Sequence, residues 1–337
     1  MDAALFWQAV IKSVIILLIM TGGFAYLTLF ERKVLARIQV RIGPNRAGPW
    51  GLLQPVADGI KLIFKEELIP ANADKITFVL APIITVIPAL VITAVMPWGP
   101  TVHLFGYDIP LSVADVNVGV LYILAVASIS VYGIVLAGWS SNNKYAMLGG
   151  LRSSAQMISY ELALGLAFLA PVMVVGSMSL TDIVEAQRRM WFVVYQPLAA
   201  VIFFIAVLAE VNRAPFDMPE AEQELTAGYH TEYSGMKFAL FFMAEYIKMI
   251  AVSAIAATLF FGGYLGPFVD QIPALGPLWL LVKIVLLLFT MVWVRATLPR
   301  IRYDRLMAFG WKLLFPLSLA NAMVTAIVIV VLETLKA

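Results

Sequence analysis

The sequence predicts an all-α fold, a polytopic membrane bundle of about eight transmembrane helices with an interfacial amphipathic helix and ordered cytoplasmic loops. The chain has 337 residues, of which 62% are hydrophobic and 13% are charged, and its mean hydropathy is +0.91. A soluble domain carries roughly 25% charged residues. The apolar residues also occur in runs of about 18 or more, which is long enough to cross a hydrocarbon core. We therefore expect residues 1–337 to form a single integral membrane domain.

Eight apolar segments are the predicted membrane helices. They lie near residues 5–29, 76–97, 116–138, 157–176, 193–211, 238–262, 278–297 and 308–333. Prolines inside them, such as Pro82, Pro88 and Pro171, are compatible with membrane helices because neighbouring helices can satisfy the carbonyls that a proline frees. The first apolar run is too long for a cleavable signal peptide and lacks a small-residue cleavage site.

The basic residues predict the orientation of these helices. Of 23 lysines and arginines, 17 lie in the loops that follow the odd-numbered helices, and three lie on the opposite side. Because cytoplasmic loops carry an excess of Lys and Arg, the long loops should be cytoplasmic and both termini periplasmic.

An amphipathic helix is predicted at about residues 50–66. Leu53, Val56, Ile60, Ile63 and Phe64 share one face of this segment, while the polar residues point elsewhere. Such a helix lies in the membrane interface. It could simply anchor a loop, or it could form a wall for a molecule that arrives from the lipid.

Three carboxylates, Glu161, Glu210 and Glu245, lie within or at the end of apolar runs. A charge near the bilayer centre is costly and usually faces the bundle interior. Carboxyl groups in a low-dielectric bundle can exchange protons near neutrality, so we expect a buried proton route. Lys248 follows Glu245 by three residues, and the two could pair. For Lys248 and Lys283, structural ion pairing or snorkelling is an equally good interpretation.

A second unusual group of charges is the acidic cytoplasmic loop at about residues 212–237. Its five carboxylates outnumber two basic residues, which gives a formal charge of −3. A helix N-terminus after Pro219 would stabilise the first acids but not the whole cluster. We expect a cation, a second protein or proton uptake to relieve the repulsion.

The scarce residues exclude several functions. The chain has no cysteine, so it cannot hold an iron–sulfur cluster or a zinc ion through thiolates. Its two histidines, His103 and His230, are expected on opposite membrane faces, which excludes a pair of axial haem ligands. No phosphate-binding or dinucleotide-binding glycine motif is present. We therefore expect no iron–sulfur cluster, haem, flavin or metal in this chain, and no nucleic-acid partner.

Three regions carry a resemblance to a known family. The first holds residues 31–33 (ERK), 41–45 (RIGPN) and 51–59 (GLLQPVADG), the second holds 210–217 (EVNRAPFD) with acids up to Glu232, and the third holds 295–300 (RATLPR) and 302–304 (RYD). These regions resemble the H subunit of bacterial proton-pumping NADH:quinone oxidoreductase, the equivalent of mitochondrially encoded subunit 1 of respiratory complex I. The resemblance runs from the first helix to the last.

The resemblance implies a membrane subunit that forms much of a quinone chamber and couples quinone reduction to proton translocation, with no catalytic residue of its own. Hydrophilic subunits with iron–sulfur clusters would close the chamber from above, and small membrane subunits and lipids would lie beside it. The residues implied at the chamber or its approach are Arg32, Arg41, Lys61, Arg295 and Arg300. The implied acidic funnel is Asp217, Glu220, Glu222 and Glu224. The implied proton path is Glu161, Glu210 and Glu245.

Two other functional classes remain open from the sequence. One is the homologous membrane subunit of a membrane-bound hydrogenase-type complex, in which we expect weaker motifs in the first loop. The other is a stand-alone proton-coupled secondary transporter that uses the glutamates as coupling sites. A transporter should work alone in liposomes, whereas a subunit should not. A purely structural scaffold would leave the three buried glutamates without a reason.

Overall fold

The computed structural model describes residues 3–104, 107–218 and 227–336, and it confirms a helical membrane bundle. The helices, numbered in chain order, are α1 (Ala3–Ile38), α2 (Gln54–Phe64), α3 (Lys75–Val91), α4 (Gly119–Ser140), α5 (Lys144–Val175), α6 (Leu180–Ala186), α7 (Phe192–Tyr195), α8 (Pro197–Glu210), α9 (Gly235–Phe260), α10 (Gly276–Thr297), α11 (Tyr303–Phe309) and α12 (Phe315–Lys336). A π-helical turn at Gly310–Leu314 joins α11 to α12.

Seven of the described helical segments are long and apolar enough to cross a membrane, and the fifth predicted span is shorter than expected. In place of one helix over 193–211, the chain forms the single turn α7 and then the 14-residue helix α8. The break falls at Gln196, whose φ and ψ are −132° and 58°. Pro197 explains it, because a proline disfavours the helical region for the residue before it. At about 1.5 Å per residue, α8 alone is about 21 Å long.

The bundle is built around α5 and α9. Helix α4 packs between α3 and α5, α8 packs on α5, and α9 closes back onto α3, while α1 and α10 lie against α9. Small residues permit a close approach between Gly138 of α4 and Gly150 of α5. A Cβ atom at Gly138 would lie 2.7 Å from the carbonyl oxygen of Ala146. This packing encloses the polar residues of the candidate site.

Two features flank the bundle. The segment between α3 and α4 contains an antiparallel hairpin of β1 (Val102–Leu104) and β2 (Tyr107–Ile109), which the sequence did not predict. On the other side, α2 lies within the predicted amphipathic segment and contacts α1 and α9. Its apolar residues Val56, Ile60 and Ile63 are 52–61% exposed, so the described chain leaves that face uncovered. Its interfacial position remains a prediction.

Candidate functional site

Arg213 is the centre of a buried ionic cluster, the Glu31 cluster, which consists of Glu31, Arg213, Glu245, Tyr246 and Arg295. The Nη1 atom of Arg213 lies 3.1 Å from Oε1 of Glu31, and its Nε atom lies 2.6 Å from Oε1 of Glu245. Arg295 also donates to Oε1 of Glu31. The guanidinium of Arg213 lies over the Tyr246 ring, 4.4 Å from its centroid. Two carboxylates thus neutralise two guanidinium groups from four separate parts of the fold.

The turn after α8 directs Arg213 into this cluster. Asn212 adopts a positive φ of 54°, a conformation that asparagine tolerates better than most residues, and the amide of Arg213 then donates to the carbonyl of Leu208. From α5, the Gln156 side-chain amide donates to the carbonyls of Ala209 and Phe216, at 2.7 and 2.8 Å. These bonds tie the start of the acidic loop to the bundle core.

The charge of Arg213 is maintained by its carboxylate partners. The residue is 4% exposed, and burial disfavours its charged form. Glu245 and Glu31 outweigh that effect and hold the pKa of the guanidinium above its ordinary value. The positive and negative charges of the cluster therefore balance. Loss of any one charge leaves an opposite charge without compensation in a buried environment.

A second group, the Lys248 group, consists of the buried residues Ser130, Glu210 and Lys248 and the half-buried residues Ser128 and Glu161. The Nζ atom of Lys248 lies 2.9 Å from Oε1 of Glu210 and donates to the Ser130 hydroxyl at 3.2 Å. The Ser128 hydroxyl donates to Glu161, which lies near enough to Glu210 and Lys248 to interact electrostatically with both. The structure thus brings the predicted Glu161 and Glu210 together.

Lys248 is ion-paired, as one interpretation of the sequence had it, but its partner is Glu210 and not Glu245. Both residues lie on α9, but Glu245 contacts Arg213 from the turn after α8, and Lys248 contacts Glu210 at the end of that helix. Spacing along one helix shows only that two side chains can meet. Here each residue contacts a partner on another element. Glu245 links α9 to the turn after α8, and Lys248 links α9 to the last residue of α8.

A small cavity, named the polar cavity for the ionisable residues among its otherwise largely apolar lining, lies between the two groups. Its volume is about 30 Å³, and Glu210, Glu245, Lys248 and His230 are among its lining residues. A cavity needs roughly 10–15 Å³ of such volume for each water molecule, so this one has room for about two. Water there would connect the Glu31 cluster to the Lys248 group by hydrogen bonds.

His230 is the neutral member of this region. Its ring is 5% exposed and packs against Tyr229 in a tilted arrangement, with 3.8 Å between the ring centroids, and the Phe241 ring lies 5.3 Å away. Burial lowers its pKa to about 3, so the imidazole is neutral near pH 7. Its Nε2 atom is buried and has no hydrogen-bond partner among the described residues. A neutral imidazole can accept and donate at different nitrogens, which suits a hydrogen-bonded relay.

The residues assigned to the quinone chamber are distributed over several places. Arg295 belongs to the Glu31 cluster, whereas Arg32 and Lys61 both approach Asp58 of α2, at 2.6 and 3.8 Å. Arg41 is exposed and donates to the Gln39 side chain at 2.7 Å. Arg300 is half-buried, and its Nη2 atom lies 3.7 Å from the sulfur of Met218. In the chain alone, these residues do not converge on one point.

The acidic funnel can be described only in part. Asp217 is half-buried at the end of a described segment, and Glu220, Glu222 and Glu224 lie outside the described residues. Lys283 has a structural role: its Nζ atom donates to the carbonyls of Gly263 and Leu265, at 2.8 and 2.6 Å. That geometry supports the structural interpretation of this intramembrane lysine.

Several residues of the site were not selected from the sequence as site residues, and four of them are Glu31, Arg213, Tyr246 and His230. Glu31 adjoins Arg32 and Lys33 at the end of an apolar run, where a charge is typical of the membrane surface. One sequence feature could have identified Glu31 as a site residue. The apolar pattern continues after it, which places this carboxylate inside a long helix and not beyond its end. The common location of the four residues depends on contacts between distant segments.

Comparison with known proteins decides the family. Residues 11–326 match the family model described as NADH dehydrogenase. Relatives named as the H subunit of NADH-quinone oxidoreductase occur in Thermomicrobium roseum (54% identity, 96% of this chain and 97% of the relative) and Protochlamydia amoebophila (55%, 90% and 91%). A relative in Geobacter metallireducens, named as H subunit 2 of the same enzyme, is 53% identical over 95% of both chains.

The chain belongs to the family of NADH-quinone oxidoreductase H subunits. As a member of this family it is a multi-pass membrane subunit of an enzyme complex, and other subunits of that complex are its partners. The Glu31 cluster and the Lys248 group are therefore features of an H subunit and have to be interpreted inside an assembly.

Proposed function

We propose that this chain forms much of the quinone-binding chamber of a proton-translocating NADH:quinone oxidoreductase and couples quinone reduction to proton translocation through its buried carboxylates. The observation that carries the proposal is a series of buried and half-buried charges. It begins with Arg295 and Glu31, continues through Arg213 and Glu245 to the polar cavity, and reaches the Lys248 group.

The chemistry of quinone reduction gives this series a role. A quinone accepts two electrons and two protons to become a quinol, and iron–sulfur clusters of neighbouring hydrophilic subunits would supply the electrons. Negative charge that develops on the quinone oxygens attracts nearby guanidinium groups such as Arg295. Arg295 and Arg213 share Glu31, so a displacement of Arg295 changes the charge balance of the whole cluster.

Proton uptake by a carboxylate would restore that balance. When Arg213 moves away from Glu245, the carboxylate loses the cation that stabilises its charged form and gains affinity for a proton. The polar cavity offers a route from Glu245 to Glu210, and Glu161 lies beyond it. The acids of residues 217–224 would deliver protons from the cytoplasmic side.

The environment follows from the same proposal. The chain lies in a bacterial inner membrane with both termini on the periplasmic side. Hydrophilic subunits cover the loops after α1, α8 and α10, small membrane subunits and lipids lie beside the bundle, and ubiquinone or a related quinone is the substrate. The relatives are named as oxidoreductase subunits, which disfavours a stand-alone transporter.

Glutamine variants of the path residues test the coupling. In the assembled complex, Glu210→Gln and Glu245→Gln should each lower quinone-linked turnover and proton translocation at least several-fold, because an amide cannot carry the proton. Each change also removes one partner of an ion pair, so turnover and pumping are divided by the rate of NADH oxidation with an artificial acceptor, which bypasses the membrane and measures the amount of assembled complex. Glu333→Gln, which changes an exposed carboxylate on α12, is the matched control. Full turnover and pumping in both path variants would refute the coupling role.

Photo-crosslinking with a quinone-like azide tests the chamber itself. In the assembled complex we expect label in residues 32–65 and 212–232, since these segments carry Arg32, Lys61 and the acidic loop. An excess of unmodified quinone should abolish the label. Label that is restricted to bilayer-facing positions of α12 and insensitive to competition would contradict the chamber.

A further inference from the structure

A long apolar cleft lies between α1 and α10; it reaches Phe30, the neighbour of Glu31, but no residue of either ionic group lines it. Its volume is about 830 Å³, within the range of roughly 300–1,000 Å³ that ligand pockets occupy. Ile15 and Ile19 of α1 form one wall, and Leu281 and Val285 of α10 form the other. Ile250 of α9 contributes to the floor. The lining is almost entirely hydrocarbon.

The shape of the cleft suits a lipid chain. Its lining residues on α1 run from Gln8 to Phe30, and a helix rises about 1.5 Å per residue, so the cleft follows α1 for about 33 Å. Its walls are open sideways, because Ile15, Ile19 and Leu281 are 49–60% exposed. A lipid acyl chain could therefore enter the cleft laterally from the bilayer.

Gln8, Lys12 and Ser112 supply polar groups at one end of the cleft. There the Lys12 ammonium donates to the backbone carbonyl of Ser112 at a long 3.4 Å, and Gln8 lines the cleft one turn earlier. An ammonium group has three donors, and this carbonyl accepts one of them. The end carries a positive charge at the same membrane side as the β-hairpin, where a lipid headgroup would lie.

We propose that this cleft binds one anionic phospholipid, with its phosphate at Lys12 and an acyl chain along α1 and α10. Burial of methylene groups along the walls favours the chain, and the ammonium favours the phosphate. The site is separate from the proposed quinone chemistry, since none of the residues of the Glu31 cluster or the Lys248 group lines it. The lipid would fill the space between two helices and fix the position of α1 against the bundle.

The experiment uses the whole complex in nanodiscs that contain phosphatidylglycerol with a photoreactive diazirine in its acyl chain. Peptides that include Ile15, Ile19 and Val285 should be labelled, and phosphatidylcholine with the same chain should label them several-fold less. Lys12→Gln should reduce the phosphatidylglycerol label to the phosphatidylcholine level, and Lys12→Arg should preserve it.

A second pair of variants tests the cleft independently of charge. Leu281→Trp should fill the cleft and lower the label from both lipids several-fold. Leu286→Trp is its matched control, since both leucines are 60% exposed on α10 and Leu286 does not line the cleft. NADH oxidation by an artificial acceptor verifies that each variant is assembled.

Three results would overturn the proposal. Equal labelling by the two lipids that Lys12→Gln leaves unchanged would remove the role of the charge. A crosslink from a photoreactive residue at position 281 to a neighbouring subunit would show that a protein fills the cleft. Label from a quinone-like azide at Ile15 and Val285 would make the cleft part of the quinone path.

Discussion

Arg213 shows how much of the buried electrostatics depends on one side chain. It contacts carboxylates from α1 and α9 and stacks on Tyr246, so three constraints determine its position. Removing one partner of such a buried pair typically costs about 3–5 kcal/mol, because the remaining charge is left in a low-dielectric environment. The arrangement is stable when every charge is matched, and it responds strongly when one charge changes. That sensitivity is the property a coupling element requires.

His230 gives a prediction about pH. Its pKa is about 3 in the folded chain, against an ordinary value of 6.5, so below pH 6.5 the unfolded state binds a proton that the folded state excludes. Stability should therefore fall as the pH decreases from 6.5 towards 3, by at most about 1.4 kcal/mol per pH unit.

Thermal unfolding of the purified complex at pH 7.5 and 5.5 measures this effect, with His230→Phe as the comparison. The phenylalanine keeps the aromatic contacts but cannot be protonated. The wild type should lose about 1.4 kcal/mol more than the variant between these two values. An equal loss in both proteins would show that His230 does not contribute to acid sensitivity.

At the scale of elements, most helices were predictable because hydrophobic length is a strong signal. The exceptions have local physical causes. Helix α8 is short because Pro197 imposes a break at Gln196, which an apolar window does not detect. The strands β1 and β2 have three residues each, too few for a recognisable alternation. Helix α2 was recognisable because its apolar residues recur on one face.

The close contact between α4 and α5 gives a prediction about stability. Gly138→Ala should destabilise the bundle by about 1–3 kcal/mol. The added Cβ atom would lie 2.7 Å from the carbonyl oxygen of Ala146, and the backbone of α5 cannot easily move away. Gly165→Ala on α5 is the control, since nothing lies within 4 Å of its Cβ position. That change should be neutral or stabilising by up to about 1 kcal/mol.

Thermal midpoints of the two assembled complexes compare these effects. The Gly138 variant should unfold at a lower temperature than the wild type, and the Gly165 variant should not. Identical midpoints for all three proteins would mean that α4 and α5 are not held by this close approach.

At the scale of the whole molecule, the sequence identified charged residues more successfully than their partners. Glu161, Glu210 and Glu245 were recognisable because each interrupts or ends an apolar run. The ion pairs of the site were not recognisable, because their members lie far apart in the sequence. Arg213 and Glu31 are 182 positions apart, and Arg295 and Glu31 are 264 positions apart. Helix spacing favoured Glu245 with Lys248, and tertiary packing separated them. Long-range pairing therefore required the structure.

The Glu210–Lys248 pair provides a test that separates stability from proton transfer. Lys248→Gln alone leaves Glu210 buried beside an amide, so we expect poor assembly or a complex that is destabilised by about 3–5 kcal/mol. The double variant Lys248→Gln with Glu210→Gln replaces the ion pair by two neutral amides of similar size. It should assemble better than the single variant, because no buried charge is left unmatched.

Restored assembly should not restore coupling, since two amides cannot exchange the proton that a carboxylate carries. The double variant should therefore oxidise NADH with an artificial acceptor at near the wild-type rate and translocate few protons with quinone. Both activities are measured on the same proteoliposomes, so the ratio of pumping to acceptor turnover does not depend on the amount of complex. A normal ratio would mean that the pair only stabilises the bundle, and the proton route would then have to pass Glu245 without reaching Glu210.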